Sequence, residues 1–226
     1  TWGIRAPFYA AAALCLLNCL YGYFFLPESL SKENRRPFDW KRANPFGSLQ
    51  FLIKHPEIGG LAISFFLIYL GAQAVQGNWN FFTIYRFHWS DKMVGISLAV
   101  VGVLVGGVQA GLTRVINPKI GNEKSIYLGL SLYTLGLILF AFATQGWMMF
   151  AFLVPYCLGG ICGPSLQSVI SGHVPRNQQG ELQGALTSLM SLTTIFGPLI
   201  MNSTFAYFTT DKAPFHFPGI HFLIGA

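Results

Sequence analysis

Charged residues are scarce in this chain, and their scarcity excludes several classes of protein. Only 10% of the residues are Asp, Glu, Lys or Arg, whereas 53% are hydrophobic, and the mean hydropathy is +0.50. Soluble domains usually contain about 25% charged residues. A water-soluble globular protein is therefore excluded. Nucleic acid is not an expected partner either, because the net charge of +6 is spread over separate loops rather than gathered into one basic patch.

Groups that carry enzymatic chemistry are also lacking. All eight acidic residues lie in loops or at the ends of apolar runs, and the sequence has no Gly-x-Ser-x-Gly, His-Glu-x-x-His or phosphate-binding glycine loop. The four cysteines lie inside apolar runs without zinc spacing to a histidine, which predicts buried thiols rather than a metal site or disulfides. The five histidines lie at span ends or in loops and are expected to be interfacial or solvated. We therefore predict a protein that is not an enzyme and needs no metal or cofactor.

What the chain does contain is a series of apolar runs of membrane-spanning length. A helix needs about 20 apolar residues to cross the hydrocarbon core, and none of these runs has a charged residue in its interior. A soluble fold cannot bury so many helices that are apolar on every side. The sequence therefore predicts an all-α membrane protein that contacts the lipid bilayer. The predicted spans are Ala6–Leu26, Ile58–Phe82, Met93–Thr113, Ser125–Ala143, Trp147–Ser171 and Leu182–Tyr207.

The basic residues between these runs predict the orientation and the organisation of the chain. Ten of the 14 lie in the segment Pro27–Glu57 and in the loops after the third and fifth runs, so these three loops are predicted to be cytoplasmic. We expect residues 1–26 to be the last helix of an N-terminal bundle. Residues 27–57 would be a central cytoplasmic loop, with a short interfacial helix near Phe46–Lys54. Residues 58–226 would be a C-terminal bundle with a truncated last span, so that the chain is a fragment of a longer protein.

Polar residues inside the spans are the candidates for a binding site. Gln73, Gln76 and Asn80 fall at i, i+3 and i+7 of the second run, on one helical face. Polar groups within a membrane usually face the bundle interior or a water-filled cavity. Hydrogen bonding between helices, worth about 0.6 kcal/mol per bond, is the other interpretation. The candidate substrate-binding residues are Gln73, Gln76, Trp79, Asn80, Gln109, Tyr133 and Gln167.

Glycine and proline within the spans predict close packing or bending. Gly102 and Gly106 form a small-xxx-small pair, a spacing that lets helix backbones approach closely. Proline removes one backbone hydrogen bond and can kink a membrane helix. Tight packing and the rocking of helices in a transporter remain equal alternatives for these positions. The candidate hinge or packing residues are Gly102, Gly106, Gly159, Pro164, Gly197 and Pro198.

Four stretches of the chain resemble the tetracycline-efflux family of the major facilitator superfamily. They follow the family order and together span nearly the whole sequence. The stretches are Ala6-Pro7-Phe8 leading to Asn18 and Leu26-Pro27-Glu28-Ser29; Phe82-Thr83, Arg86-Phe87-x-Trp89 and Met93-Val94-Gly95-x-Ser97-Leu98; Gly159-Gly160 with Pro164-x-Leu166-Gln167; and Gln179-Gly-Glu-Leu-Gln-Gly184 with Ser188 and Gly197-Pro198-Leu199.

This resemblance implies a major facilitator helical bundle comprising helices six to eleven and a truncated twelfth. It also implies a multi-pass protein of the cytoplasmic (inner) membrane that exports a small drug-like molecule in exchange for protons, with the remaining N-terminal half as its partner. Tetracycline exporters carry a membrane-embedded Asp in helix nine, where this chain has Tyr133, and some carry a His in helix eight, where it has Val105. A proton-binding acid is therefore expected in the N-terminal half.

Two other functions stay open on the sequence. The neutral polar residues of the spans also suit a facilitator or symporter of a sugar or another neutral metabolite with the same fold. A membrane scaffold or receptor without transport is the third class, and the Gly/Pro pattern and the polar helix faces argue mildly against it. The presence of a central cavity would distinguish a transporter from such a scaffold.

Overall fold

The computed structural model describes residues 5–27, 51–53, 55–210 and 213–226. Within these ranges the chain is helical and contains no strand, which confirms the predicted all-α class. Six helices are long and apolar enough to cross a membrane, as the sequence predicts.

Contacts divide the chain into two compact units, Thr1–Phe38 and Asp39–Ala226. Most of the predicted cytoplasmic loop, residues 27–57, lies outside the described residues; of the predicted interfacial helix only residues 51–53 are described, and they are helical.

The first unit contributes a single described helix, α1 (Ala6–Phe25). Pro7 lies in its first turn, where the missing N–H costs nothing because the first backbone donors of a helix have no partner within it. None of its residues is buried. Apolar side chains surround this helix on every side, as expected of a membrane span that contacts lipid or another helical bundle.

The second unit forms a bundle of antiparallel helices. Its members are α2 (Pro56–Phe87), α3 (Asp91–Ile120), α4 (Asn122–Ala141), α5 (Gly146–Gly172), α6 (Gln179–Phe208) and the short α7 (Ile220–Gly225). A 3₁₀ turn, Arg176–Gln178, leads into α6. Because the helices alternate in direction, the connections that follow α3 and α5 lie at one end, and those that follow α2, α4 and α6 lie at the other. The first end carries most of the basic residues of the described bundle and is the predicted cytoplasmic end.

The ends of α2 and α3 follow from local chemistry. His88 ends α2 in a left-handed conformation (φ 54°), and its N–H bonds back to the Ile84 carbonyl. Ser90 then caps α3, since its hydroxyl accepts the N–H of Met93 at 3.4 Å. Both helices extend beyond the predicted spans because their polar end residues, such as Arg86, can reach the interface while the helix continues.

Glycines bring α4 and α5 into backbone contact. A Cβ on Gly136 would lie 2.7 Å from Cα of Tyr156, and one on Gly129 would lie 2.7 Å from the backbone nitrogen of Cys162. Gly159 makes the reciprocal approach, since a Cβ on it would lie 2.7 Å from the backbone nitrogen of Tyr133. Only glycine fits at such distances, so these residues fix how closely the two helices approach.

A second close approach joins α2 to α6, where Gly197 lies directly against the Gln73 side chain. The helix α6 runs through Pro198 without interruption. Gly102 and Gly106 behave differently, because a Cβ on either would meet nothing within 4 Å. The tight packing considered for this pair is therefore not made with any residue that the structure describes.

Candidate substrate cavity

A cavity of about 190 Å³ lies between α2, α3, α4 and α5. It is partly open rather than fully enclosed. Its wall combines amide and phenol groups with thiols and apolar side chains. The lining residues are Ile68, Tyr69, Ala72, Gln76, Val105, Gln109, Tyr133, Tyr156, Cys157, Gly160, Cys162, Gly163 and Pro164.

The polar part of this wall is neutral, because none of the lining residues is Asp, Glu, Lys, Arg or His. Tyr133 and Tyr156 face one another across α4 and α5, with their ring centroids 4.8 Å apart and their hydroxyl oxygens 3.3 Å apart. Each hydroxyl can donate or accept a hydrogen bond. Together with the amides of Gln76 and Gln109 they offer donors and acceptors on an otherwise apolar surface, which is the usual composition of a small-molecule site.

A widened turn in α3 determines where Gln109 lies. Residues Val108–Leu112 form a π-helical turn, a local widening that often occurs at functional sites. The Val108 carbonyl accepts two hydrogen bonds from Thr113, one from its backbone N–H and one from its hydroxyl at 3.0 Å. Because both bonds reach back five residues, Thr113 holds the turn open. The exposed Gln109 follows directly on the buried Val108 and faces the cavity.

An irregular segment of α5 shapes the opposite wall. The α-helix gives way to a 3₁₀ turn at Gly159–Ile161, between Pro155 and Pro164. Gly159 packs against Tyr133 and so sets the distance between this wall and α4. Gly160 has no neighbour within 4 Å of the Cβ position and leaves open space in the cavity wall.

The structure brings part of the predicted site together. Gln76, Gln109 and Tyr133, which lie on three different helices, line this one cavity, and so does Pro164. Asn80 is exposed one turn further along α2 and does not line the cavity.

The other predicted polar residues have partners elsewhere. Gln73 is 7% exposed and packs against α6. The buried Trp79 donates its indole N–H to the Ser97 hydroxyl at 2.9 Å, so it joins α2 to α3. Gln167 donates to the Gln183 side chain at 3.0 Å, between α5 and α6. These three side chains hold helices together in the described unit and do not line the cavity.

Sequence reasoning did not select Tyr69, Tyr156, Cys157 and Cys162 for this site. Tyr156 stood among the polar residues of the fifth run, and Gly159 and Pro164 next to it indicate an irregular wall. The sequence predicts that all four thiols are buried. Cys157 and Cys162 are buried, although each also lines the cavity, whereas Cys15 and Cys19 in α1 are exposed within the described unit. No signal in the apolar surroundings of Tyr69 distinguishes it from a packing residue.

One histidine departs from its expected position. His221 in α7 is not solvated but fully buried, because it packs against the rings of Phe82, Phe205 and Phe222. Its Nδ1 lies 3.0 Å from the Pro218 carbonyl, and its Nε2 has no hydrogen-bond partner among the described residues. The buried amide of Asn78 likewise has no partner in that part of the chain. Neither residue lines the cavity, and no group of three potential metal ligands occurs in the part of the chain that the structure describes.

Comparison with known proteins gives a consistent result. The sequence pattern of the Major Facilitator Superfamily matches residues 1–198. The chain is 40% identical over 203 residues to the class C tetracycline resistance protein of Escherichia coli, and this match covers 90% of the chain and 51% of that protein. It is 37% identical over 197 residues to the class G tetracycline resistance protein of Vibrio anguillarum, with 86% of the chain and 49% of that protein covered. The chain thus spans about half the length of these relatives.

A solved structure supports the same fold. The crystal structure of the human organic anion transporter MFSD10 (TETRAN) superposes with a TM-score of 0.79 at 23% identity, covering 98% of this chain and 56% of that one. The shared architecture and the six spans identify a multi-pass membrane protein. Since the family pattern covers most of the sequence, the chain belongs to the major facilitator superfamily.

Proposed function

We propose that the full-length protein is a secondary transporter that exports a tetracycline-type small molecule across the cytoplasmic (inner) membrane in exchange for protons, by alternating access. The relatives named above carry tetracycline resistance in their names, which supports this choice of substrate. The chain acts as a transporter half rather than as an enzyme. The single observation that carries the proposal is the uncharged cavity between four helices, which presents amide and phenol groups on an otherwise apolar wall.

The cavity supplies what an amphiphile with several hydroxyl, carbonyl and amide groups requires. Gln76 and Gln109 would donate and accept hydrogen bonds from α2 and α3, and Tyr133 would do so from α4. Phenol rings beside these amides would contact the flat, apolar part of the substrate. In this proposal the N-terminal half closes the open side of the cavity.

Proton exchange requires a titratable group, and the cavity wall of the described unit contains no carboxylate and no histidine. We therefore assign proton binding to the N-terminal half of the full-length protein. Coupling would arise because substrate and proton favour opposite orientations of the two halves, as a shift between two conformational states demands.

The same neutral wall favours a second candidate, a facilitator of a sugar or another neutral metabolite. Such a ligand needs hydrogen bonds and no counter-charge, which the amides and phenols provide. The two candidates differ in energy coupling, because a facilitator does not expel its ligand against a gradient.

The test is tetracycline accumulation in cells that produce the full-length protein, measured with and without a protonophore. We expect the protein to lower intracellular tetracycline and the protonophore to abolish the effect. Gln76→Ala and Tyr133→Ala should each weaken exclusion by about tenfold, since a hydrogen-bonded group lost from a binding site typically costs on the order of 1–2 kcal/mol. Asn80→Ala is the matched control on the same helix, because Asn80 does not line the cavity.

The outcomes separate the alternatives. Unchanged tetracycline levels at normal membrane expression would remove tetracycline as the substrate and favour the metabolite facilitator. Exclusion that persists in the presence of the protonophore would contradict proton exchange. If Asn80→Ala weakened exclusion as much as Gln76→Ala, the binding surface would follow the whole polar face of α2 rather than this cavity.

A further inference from the structure

A second pocket lies at the predicted extracytoplasmic end of the bundle. Its volume is about 180 Å³, and it is formed by the end of α2, the connection from α4 to α5 and the segment that precedes α7. It shares no lining residue with the proposed substrate cavity. Arg86, His216 and Thr144 contribute its polar groups. The aromatic walls come from Phe82, Phe142 and Phe217.

The charge of this pocket comes from Arg86. This residue lies in the last turn of α2, where the negative end of the helix dipole favours a cation. The dipole explains why a basic residue is tolerated here, but it leaves the guanidinium donors free to bind a ligand. The Arg86 side chain makes no ion pair or hydrogen bond with any residue that the structure describes. A guanidinium presents paired N–H donors that match the two oxygens of a carboxylate or phosphate.

The position of His216 adds a second group. Its Nε2 lies 2.9 Å from the hydroxyl oxygen of Tyr85, which holds the imidazole at the pocket. When the tyrosine hydroxyl donates this hydrogen bond, the ring proton is on Nδ1 and is available to an acceptor in the pocket. Arg86 and Tyr85 are neighbours in α2, so one helix end positions both polar elements.

Apart from Thr144, the rest of the pocket is apolar and closely packed. Phe82 is 1% exposed and packs edge-on against Phe222, while Phe142 and Phe217 lie 5.5 Å apart on another side. Gly219 lies against the Ala141 carbonyl so closely that no side chain fits there. The wall is therefore fixed by backbone contact, and it places aromatic rings beside a cation at the depth where membrane proteins concentrate aromatic residues.

We infer that this pocket binds an oxyanion attached to an apolar group. Arg86 would bind the anionic oxygens in bidentate fashion, His216 would donate a further hydrogen bond, and the aromatic walls would contact the apolar portion. Two sources supply this chemistry at a membrane surface: the phosphate of an anionic lipid headgroup, and the carboxylate of a small aromatic acid. The site lies outside the proposed transport cavity and does not depend on the identity of the transported substrate.

The experiment uses the full-length protein with two probes. In nanodiscs that contain phosphatidylglycerol and phosphatidylcholine, native mass spectrometry counts the phosphatidylglycerol molecules retained by each protein. In detergent, benzoate binding is measured by titration of the protein's tryptophan fluorescence. The variants are Arg86→Gln, Arg86→Lys and Lys92→Gln, and Lys92 is the matched control because it is an exposed cation at the same end outside the pocket.

We expect Arg86→Gln to weaken binding of at least one probe by about tenfold or more, the ordinary effect of losing a charge-assisted bidentate contact. Arg86→Lys should retain part of the affinity, and Lys92→Gln should change little. Loss with phosphatidylglycerol alone would identify a lipid, and loss with benzoate alone would identify a soluble acid. Equal losses in Arg86→Gln and Lys92→Gln, or no binding of either probe to the wild type, would overturn the inference. Normal elution of Arg86→Gln in size-exclusion chromatography guards against misfolding as the cause of its weaker binding.

Discussion

Replacing Gly136 by alanine tests the packing on which the cavity depends. The new Cβ would lie 2.7 Å from Cα of Tyr156, whereas ordinary van der Waals contact begins at 3.4 Å. No rotamer change relieves this contact, because the opposing atoms belong to the backbone of α5. The two helices must separate, and overpacking of this kind typically costs about 1–3 kcal/mol. The separation would also move Tyr156 away from Tyr133.

The control is Gly106→Ala in α3, where the added methyl group meets nothing within 4 Å. This change should be neutral or stabilising by up to about 1 kcal/mol, since alanine has the higher helix propensity. Thermal unfolding of the full-length protein in detergent, followed by loss of the monodisperse chromatographic peak, compares the two variants. A shift on the order of 2–4 °C for each kcal/mol is expected for a unit of this size. Equal melting temperatures for Gly136→Ala and Gly106→Ala would refute the backbone contact between α4 and α5.

Two further substitutions test features of α2 and α3. Asn78→Leu removes a buried amide that has no partner among the described residues. It should raise the apparent melting temperature, because an unsatisfied buried polar group costs about 1–3 kcal/mol. If Asn78→Leu had a lower melting temperature than Asn78→Asp, the amide would have a partner in the folded protein. Thr113→Val removes the hydroxyl that bonds to the Val108 carbonyl and should reduce tetracycline exclusion. Thr113→Ser keeps this hydroxyl and should keep the exclusion. Equal exclusion by the two variants would contradict a role for the widened turn.

The sequence was sufficient to predict the spans, because a long run without charges admits few structures other than a membrane helix. The first predicted span, Ala6–Leu26, differs by one residue from the observed α1, Ala6–Phe25. The third was predicted to end at Thr113, yet α3 continues to Ile120. The final turns of α3 carry Arg114 and Lys119, which hydropathy excludes from a span although the helix itself continues into the interface.

The candidate site was predicted only in part, for a geometric reason. Helical periodicity predicts which residues share a face, but it does not predict which neighbouring helix packs against that face. Gln73 and Gln76 are about 60° apart on a helix of 3.6 residues per turn. That angle is enough to direct Gln73 towards α6 and Gln76 towards the cavity. The spacing of Gly102 and Gly106 predicts a close contact between helix backbones. In the structure this kind of contact is made by other glycines, in α4 and α5.

The widened turn in α3 also bears on how this helix can change in length. A π-turn holds one residue more than the α-helical turn it replaces, so residues that follow Val108 are rotated by about 100° relative to an unbroken helix. A helical wheel drawn through the whole of α3 therefore assigns wrong faces to everything from Thr113 onwards. Within this turn, unlike elsewhere in a span, a one-residue deletion restores regular geometry and leaves both ends of the helix in phase. This stretch is therefore the place in α3 where deletion of one residue is compatible with the fold.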